Sequence, residues 1–311
     1  MQNTPRAIGL PFFRYAAAPA CAPGGGQTVA LRWPEDAKLA LSIVVNVEEG
    51  AEARVADGDP APESVDEIGI ALRRPIVAHA NESNYRYGLR EGAPRVLRAL
   101  RERGLAATFP AAALALERAP ALAQAIAAGG HEVCCHGWRW VHQFRMDEAE
   151  ERAFIRRGTE SLARSTGTRP VGWLSRYLHT ERTRQLLAEA GYRYHMDDYS
   201  ADAPFWDSAG GRPIVVMPYA LDSNDMKFWQ APGLTPRQWL EYALDTFEVL
   251  YAEGAHAPRM MSLGLHLRII GRPGRIGAFE SFLDRVRERE GVWVATRAQI
   301  ADHFAAHTPP P

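Results

Sequence analysis

The alternation of short apolar segments with amphipathic helical segments is the feature that most constrains this fold. Strands that alternate with helices in this way are typical of parallel βα units. The apolar segments predict strands at 39–46, 105–109, 131–136, 171–174, 192–196, 214–217, 260–265 and 292–295. The helical periodicities predict helices at 93–103, 111–128, 147–165, 180–190, 235–252, 276–288 and 296–303. Because no glycine-rich nucleotide-binding motif follows the first strand, the seven to eight predicted strands favour a parallel (β/α) barrel over an open sheet.

A single domain is expected to span residues 1–311, since α/β barrels often exceed ~200 residues as one unit. The hydrophobic fraction of 46% is sufficient for a large core. Residues 1–38 are rich in proline, glycine and alanine, which predicts an extended N-terminal arm over the domain or over a neighbouring subunit. Residues 54–84 are predicted to be irregular, and a loop of that length is more often functional than incidental.

Charge and cysteine content limit the expected partners and compartment. The formal net charge of −1 gives no indication of a surface for nucleic acid or for an anionic membrane. No apolar run approaches the ~18 residues of a membrane span, and Arg14 and several prolines interrupt the apolar stretch near the N-terminus. Cys134 and Cys135 are adjacent in a predicted strand, so they point to opposite faces and are poor disulfide partners. We therefore expect a reduced, cytoplasmic protein.

Polar side chains follow the predicted strands at the end where α/β barrels place their functional groups. Glu48 and Glu49 follow the first strand, and His136 ends the strand at 131–136 just before Trp138 and Trp140. Later strands deliver a further set of polar residues, which comprises Ser175, Arg176, Tyr177, Asp197, Asp198, Tyr219, Asp222, Asn224, Asp225, His266 and Arg268. Carboxylates, histidines and an arginine at separate strand ends are the groups that a hydrolytic site requires.

The residues after His136 bear on whether a metal takes part. In a helical turn, His136 and position 140 would share one face, which is the spacing of a two-histidine metal clamp. Position 140 is Trp140, which cannot ligate a metal. His142 would sit ~120° around a helix from His136, so it is a poor replacement. The sequence thus predicts a site that works without a metal.

Four motifs resemble the polysaccharide deacetylase superfamily, and they are most similar to its branch of allantoinases that work without a metal. They are the acidic motif at 46–50, the His-Gly-Trp-Arg-Trp motif at 136–140, the Leu-Asp-x-Asn-Asp-Met motif at 221–226 and the long Gly-Leu-His motif at 264–275. The resemblance covers the chain from about Leu39 to Phe304. It implies an incomplete (β/α) barrel, the opening of a cyclic ureide or related cyclic amide, and no cofactor.

A role for each candidate residue follows from this hypothesis. Glu48 or Glu49 would activate a water molecule, and His266 or His136 would polarise the carbonyl group and protonate the leaving nitrogen. The small-molecule substrate would be held by Trp138, Trp140, Arg176, Tyr219, Asp222 and Asn224. The N-terminal arm and the arginines after His266 favour a homo-oligomer.

Each assignment has an ordinary structural alternative. The glutamates could be solvated charges at a strand end, His136 a core histidine, and the tryptophans part of the core. The main alternative function is a metal-dependent deacetylase that uses Glu49, His136 and a third ligand such as His142. A barrel that binds a ligand or partner without turnover is the second alternative.

Overall fold

The structure is a computed structural model that describes residues 31–65, 67–69 and 71–311. The described residues form one curled sheet of nine strands, which are β1 (Leu39–Asn46), β2 (Thr108–Ala111), β3 (Glu132–Cys135), β4 (Gly172–Trp173), β5 (Tyr194–His195), β6 (Phe205–Asp207), β7 (Ile214–Val216), β8 (Arg259–His266) and β9 (Val292–Val294).

The strand order is β6-β7-β5-β4-β3-β2-β1-β8, and β9 pairs with β1 as well. Every pair is parallel except β6 with β7. A single parallel bridge from Asn224 to Gly264 brings the segment after β7 against the free edge of β8. The predicted incomplete (β/α) barrel is therefore confirmed, and the short antiparallel β6 is an addition that the sequence analysis did not foresee.

Helices connect the strands and cover the outside of the sheet. They are α1 (His79–Tyr87), α2 (Ala93–Arg103), α3 (Ala113–Arg118), α4 (Pro120–Ala128), α5 (Glu148–Thr166), α6 (Thr183–Glu189), α7 (Pro236–Glu253), α8 (Leu267–Ile270), α9 (Pro273–Arg287) and α10 (Arg297–His307). Asp147, Thr235 and Thr296 begin α5, α7 and α10 with complete capping boxes, in which side chain and backbone exchange hydrogen bonds. Short 3₁₀ helices lie at Pro34–Asp36, Val55–Asp57, Ala209–Gly211 and Asp225–Phe228, and a π-helical turn at Gly88–Gly92 joins α1 to α2.

Two helical predictions were wrong in a way that has a physical cause. The helix predicted at 111–128 is split into α3 and α4, because Pro120 has no amide hydrogen with which to continue α3. Helix α1 begins inside the segment predicted to be irregular at 54–84 and ends just beyond it, at Tyr87. Its sequence lacks apolar periodicity, and tertiary contacts stabilise it, including the hydrogen bond of 2.7 Å from the Tyr85 hydroxyl to the Val65 carbonyl.

The predicted N-terminal arm at 1–38 lies mostly outside the described residues. Its described part includes Trp33, which is buried and packs against Trp293 with ring centroids 5.9 Å apart. Cys134 and Cys135 are both unpaired, as predicted, whereas Cys21 lies outside the described residues. Within the described part of the chain, no helix is both long enough and apolar enough to cross a membrane.

Candidate active site

Strand register brings the ends of β1 and β8 together. Asn46, the last residue of β1, is aligned with His266, the last residue of β8. Glu48 and Arg268 follow these two aligned residues by two positions each, so they also lie side by side. Arg268 donates a hydrogen bond of 2.7 Å to Glu48 Oε2, and His266 Nε2 lies 3.5 Å from Glu48 Oε1. The two strands thus place a carboxylate, an imidazole and a guanidinium at one point.

The pairing of β3 with β4 positions the second histidine. Cys135 is aligned with Trp173, so His136 lies beside Leu174, and its Nδ1 is 2.6 Å from the Leu174 carbonyl oxygen. A carbonyl oxygen can only accept a hydrogen bond, and Nδ1 must therefore carry a proton. The other ring nitrogen, Nε2, lies 3.7 Å from Glu48 Oε1. Glu48 Oε1 consequently faces the Nε2 atoms of both histidines.

Asp225 fixes the orientation of His266. The bridge between Asn224 and Gly264 sets Asp225 next to the end of β8. Its Oδ1 lies 2.7 Å from His266 Nδ1, and its Oδ2 accepts hydrogen bonds from the backbone amides of His266 (2.8 Å) and Ile270 (3.1 Å). Asp225 is fully buried, so its carboxylate bonds to the imidazole and the backbone amides rather than to solvent.

Opposite charges dominate the electrostatics of this cluster. Burial alone would lower the pKa of His266, but the carboxylates of Glu48 and Asp225 outweigh that effect and raise the pKa to about 9. Burial would likewise raise the pKa of Glu48, yet Arg268 and His266 hold the pKa of this carboxyl well below its usual range. At neutral pH the site therefore contains an imidazolium beside a carboxylate.

Glu49 lies beside Arg268, with its Oε1 3.8 Å from the guanidinium Nη1, and it bonds mainly to the backbone. Its Oε2 accepts a hydrogen bond of 3.0 Å from the Glu48 amide, and its Oε1 accepts one of 3.1 Å from the Arg268 amide. Burial and the neighbouring charge of Glu48 raise the pKa of Glu49, although Arg268 opposes them. Gly88, in the π-helical turn, packs directly on the Glu49 side chain, and a Cβ atom at that position would overlap the carboxyl group. Glu49 thus fixes the backbone on both sides of the site.

Glu48, His136 and His266 line one end of a cavity of about 190 Å³. We call the buried end, formed by Asn46, Glu48, His136 and His266, the deep end. We call the partly or fully exposed lining residues Tyr177, Tyr199, Leu221, Lys227 and Gln230 together the outer end. Exposure separates the two, since Glu48 is 2% exposed whereas Tyr177 is 46% exposed. The remaining lining residues are Trp140, Leu174, Ser175, Arg176, Tyr219, Asn224 and Met226.

The structure brings most of the predicted site residues to this cavity. The residues that line it are Glu48, His136, His266, Trp140, Arg176, Tyr219 and Asn224. Glu49, Trp138 and Asp222 do not line it. Trp138 packs beneath the Arg157 guanidinium, and Asp222 is exposed and borders a neighbouring cavity instead.

Trp140 shares the cavity with His136, but not through a helical turn. The chain bends at 138–140 after Gly137, whose φ of 81° is the left-handed conformation that glycine adopts readily. The Trp140 indole lies against the guanidinium of Arg176, 3.8 Å from ring centroid to Cζ. Arg176 in turn pairs with Glu63 at 2.8 Å and donates to the Trp140 carbonyl at 2.7 Å. Trp140 is thus a fixed apolar wall.

The donor set at the deep end does not fit a catalytic metal, which takes three protein ligands in a typical zinc site. Among the described residues, no group of three or more histidine, cysteine, aspartate or glutamate side chains is arranged to hold a metal ion. His142 bonds through Nδ1 to the Arg176 carbonyl at 3.0 Å. Arg268 already places a positive charge on Glu48. The protein supplies its own cation at the point where a metal would have to bind.

Sequence reasoning missed several residues that shape the cavity. Asp225 and Arg268 were noted at strand ends, but neither the pairing of Asp225 with His266 nor that of Arg268 with Glu48 was predicted. Tyr199 and Lys227 were not singled out at all. Asp225 had the clearest sequence signal, because it belongs to the Leu-Asp-x-Asn-Asp-Met motif at 221–226. A carboxylate in a predicted turn nevertheless gives no indication of the residue with which it pairs.

Comparison with known proteins identifies the family that this chain resembles. The sequence profile of the polysaccharide deacetylase family matches residues 83–195. A provisionally named polysaccharide deacetylase of Schizosaccharomyces pombe is 33% identical over 300 residues, which cover 89% of this chain and 93% of that protein. The crystal structure of a probable polysaccharide deacetylase of Pseudomonas aeruginosa PAO1 is 41% identical, with a TM-score of 0.86 over 90% of this chain and 95% of that one. The crystal structure of the allantoinase PuuE is 38% identical, with a TM-score of 0.87 over 95% of this chain and 100% of that one.

Proposed function

Because this chain belongs to the polysaccharide deacetylase family, whose members hydrolyse carbon–nitrogen bonds other than peptide bonds, we propose that it opens the ring of a cyclic ureide or related cyclic amide. The reaction is allantoinase-like and depends on acidic and basic side chains rather than on a metal ion. One observation carries the proposal: Glu48 lies 3.5 Å from His266 and 2.7 Å from Arg268, and no group of three or more histidine, cysteine, aspartate or glutamate side chains among the described residues is arranged to hold a metal ion.

Glu48 is the proposed general base. It is the one of the two adjacent glutamates that faces the cavity, whereas Glu49 bonds to backbone amides. A carboxylate whose pKa is held low is a weak base, so its effect depends on how well the attacking water is positioned. Positioned general-base catalysis contributes about a hundred- to ten-thousand-fold in rate.

His266 is the proposed acid. As water attacks, one water proton moves to Glu48, the water oxygen bonds to the carbonyl carbon, and the His266 imidazolium stabilises the charge on the carbonyl oxygen. The carbon–nitrogen bond then breaks and the leaving nitrogen takes the His266 proton. The proton on Glu48 returns to His266 across the 3.5 Å that separates them, which restores both groups.

The cavity favours a small ring over a polymer. Its volume is about 190 Å³, its deep end is buried, and the aromatic surfaces of Trp140 and Tyr219 form part of its walls. The Tyr219 hydroxyl is held by the side-chain amides of Asn46 and Asn224, each at 3.0 Å, so that wall is rigid. A flat cyclic amide could pack against these walls while its carbonyl group reaches Glu48. The similarity to PuuE supports the same substrate class.

The names of the other relatives favour deacetylation of an acetylated sugar as a second candidate. A substrate panel separates the two. The purified protein would be incubated with allantoin, hydantoin, dihydrouracil and N-acetylglucosamine oligomers, and products would be identified by mass spectrometry, with the Glu48→Gln variant as a control for contaminating activity.

We expect ring-opened carboxylate products from at least one cyclic substrate and no acetate from the sugars. Release of acetate without ring opening would replace the proposal by deacetylation. Hydrolysis of none of them would favour a barrel that binds without turnover.

A further inference from the structure

Lys227, at the outer end of the cavity, is a lysine in a chain whose basic residues are nearly all arginine. The chain contains 36 lysines and arginines, and Lys38 and Lys227 are its two lysines. Arginine is used at every other cationic position, including Arg176 and Arg268 around the same cavity. A compact ammonium on a flexible stem has been placed where the cavity opens, and it differs from a planar, rigid guanidinium in how it binds anions.

The ammonium of Lys227 has no protein partner. Within the described residues, it makes no hydrogen bond and no ion pair, although the chain forms many of both. The other charged groups around the cavity are paired. Arg176 pairs with Glu63, Arg268 with Glu48, and His266 with Asp225. Lys227 therefore leaves one unbalanced positive charge at the cavity.

The backbone of Lys227 is nevertheless fixed. It lies in the 3₁₀ helix Asp225–Phe228, so the residue that orients His266 and the lysine at the outer end belong to the same short element. The Lys227 amide donates to the Asn224 carbonyl at 3.1 Å, and the Lys227 carbonyl accepts from the Leu234 amide at 2.8 Å. A rigid base that carries a free ammonium into a cavity is the arrangement of a binding group for an anion.

We propose that Lys227 binds a carboxylate substituent on the substrate, so that the preferred substrates are cyclic ureides or amides that carry a negative charge. This inference rests on the proposed function and narrows it. Ring opening also creates a carboxylate, but that group forms at the carbonyl beside Glu48 and His266, at the deep end. Lys227 lies at the outer end, where a ring substituent would emerge.

A matched pair of substrates tests the inference. Hydantoin-5-acetic acid carries the carboxylate, and its primary amide is a neutral molecule of nearly the same shape. We expect the wild-type protein to prefer the acid by ~10- to 100-fold in kcat/KM, mainly through KM, which is the range for a hydrogen bond to a charged group. The Lys227→Met variant should lose that preference, Lys227→Arg should keep part of it, and Lys38→Met, which changes the other lysine far from the cavity, should keep all of it. Equal kcat/KM for acid and amide in the wild type would overturn the inference.

A binding measurement keeps this test separate from the proposed function. Reductive methylation with ¹³C labels only Lys38, Lys227 and the N-terminal amine, so each gives its own NMR signal, which the two Lys→Arg variants assign. Hydantoin-5-acetic acid should shift the Lys227 signal alone, and the amide should not.

A shift of the Lys227 signal by the acid, with no turnover of either hydantoin, would contradict the proposed function but support an anion site. Turnover of both hydantoins with no shift at Lys227 would contradict the anion site alone. A shift caused equally by hydantoic acid, a ring-opened product, would show that Lys227 binds the product carboxylate and would overturn the assignment to a substituent.

Discussion

The deep end and the outer end of the cavity are built in different ways. At the deep end, strand register fixes Glu48, His136 and His266, and every charge has a partner. At the outer end, Tyr177, Tyr199 and Lys227 come from connecting segments, are at least partly exposed, and include a cation without a partner. Preorganised buried charges suit a reaction, whereas exposed and adaptable groups suit the choice of substrate. The comparison predicts that changes at the deep end act on kcat and its pH dependence, and changes at the outer end act on KM.

Replacing Glu48 by glutamine should have the largest effect. It removes the proposed base, so kcat/KM for the best cyclic substrate should fall about a hundred- to ten-thousand-fold. Steady-state kinetics would measure the loss, and a thermal melt would report folding. Since the change also removes the closer of the two carboxylates beside the buried Arg268, the Glu48→Gln/Arg268→Met variant serves as the charge-balanced version.

The matched variant is Glu49→Gln. It should lower thermal stability, because Glu49 accepts hydrogen bonds from two buried amides, but it should reduce kcat/KM less than Glu48→Gln does. If the Glu49 variant were folded and inactive while the Glu48 variant kept near wild-type activity, the base would have been assigned to the wrong residue.

Replacing Asp225 by asparagine should have the second largest effect, which is a change in the pH dependence of kcat/KM. The pKa of His266 is raised to about 9, so the wild-type kcat/KM should fall as the pH rises through about 9 and the imidazolium is lost. Asp225→Asn removes one of the two carboxylates that raise this pKa. The alkaline limb should therefore move to lower pH, and kcat at pH 7 should drop about a hundredfold. An alkaline limb that stays in place would show that another group is the acid.

The raised pKa of His266 should also make the stability of the fold depend on pH. Because the pKa of His266 is higher in the folded protein than in the unfolded chain, protonated His266 stabilises the fold fully below about pH 6.5. That stabilisation should disappear as the pH rises through about 9. Chemical denaturation of wild type and Asp225→Asn at several pH values would measure it, and parallel stability curves for the two proteins would contradict it.

Arg268→Met should have a smaller effect on activity. Arg268 holds the pKa of Glu48 well below its usual range, and it does not line the cavity. Its loss should raise that pKa, so the acidic limb of the pH profile should move to higher pH, with about a tenfold loss in kcat/KM at neutral pH. A variant that loses activity equally at every pH, with no change in the acidic limb, would indicate a purely structural role.

Tyr177→Phe should have the smallest effect. Tyr177 is 46% exposed, and its hydroxyl contacts only the weak acceptor Met226 Sδ at 3.3 Å among the described residues. We expect KM to change by less than about threefold and kcat to stay constant. A large fall in kcat would mean that the outer end takes part in the reaction and would break the comparison between the two ends.

Much of the fold follows from local patterns. Strand β1 and helix α2 begin and end where the sequence predicts, because continuous apolar residues and a terminal Gly104 mark them clearly. Helix α1 was missed because a polar segment with no periodicity is stabilised by contacts with residues distant in sequence.

The site was only partly predictable for a related reason. Glu48 and His266 follow buried strands, and strand ends at one edge of a parallel sheet must converge. The sequence cannot tell which way each side chain of a neighbouring pair points. Glu48 lines the cavity, whereas its neighbour Glu49 does not. In the same way, Trp140 lines the cavity and Trp138 does not. The partnership of Asp225 with His266 depends on one bridge between distant segments, which no local pattern reveals.

The most direct test of a site that works with its own charges is to measure ring opening after removal of metals. The protein would be dialysed against a strong chelator, its metal content determined by mass spectrometry, and kcat/KM measured for the best cyclic substrate with and without added zinc. We predict full activity at a metal content far below one ion per chain, and no gain on addition of zinc. Activity that disappears on chelation and returns with stoichiometric zinc would contradict the account.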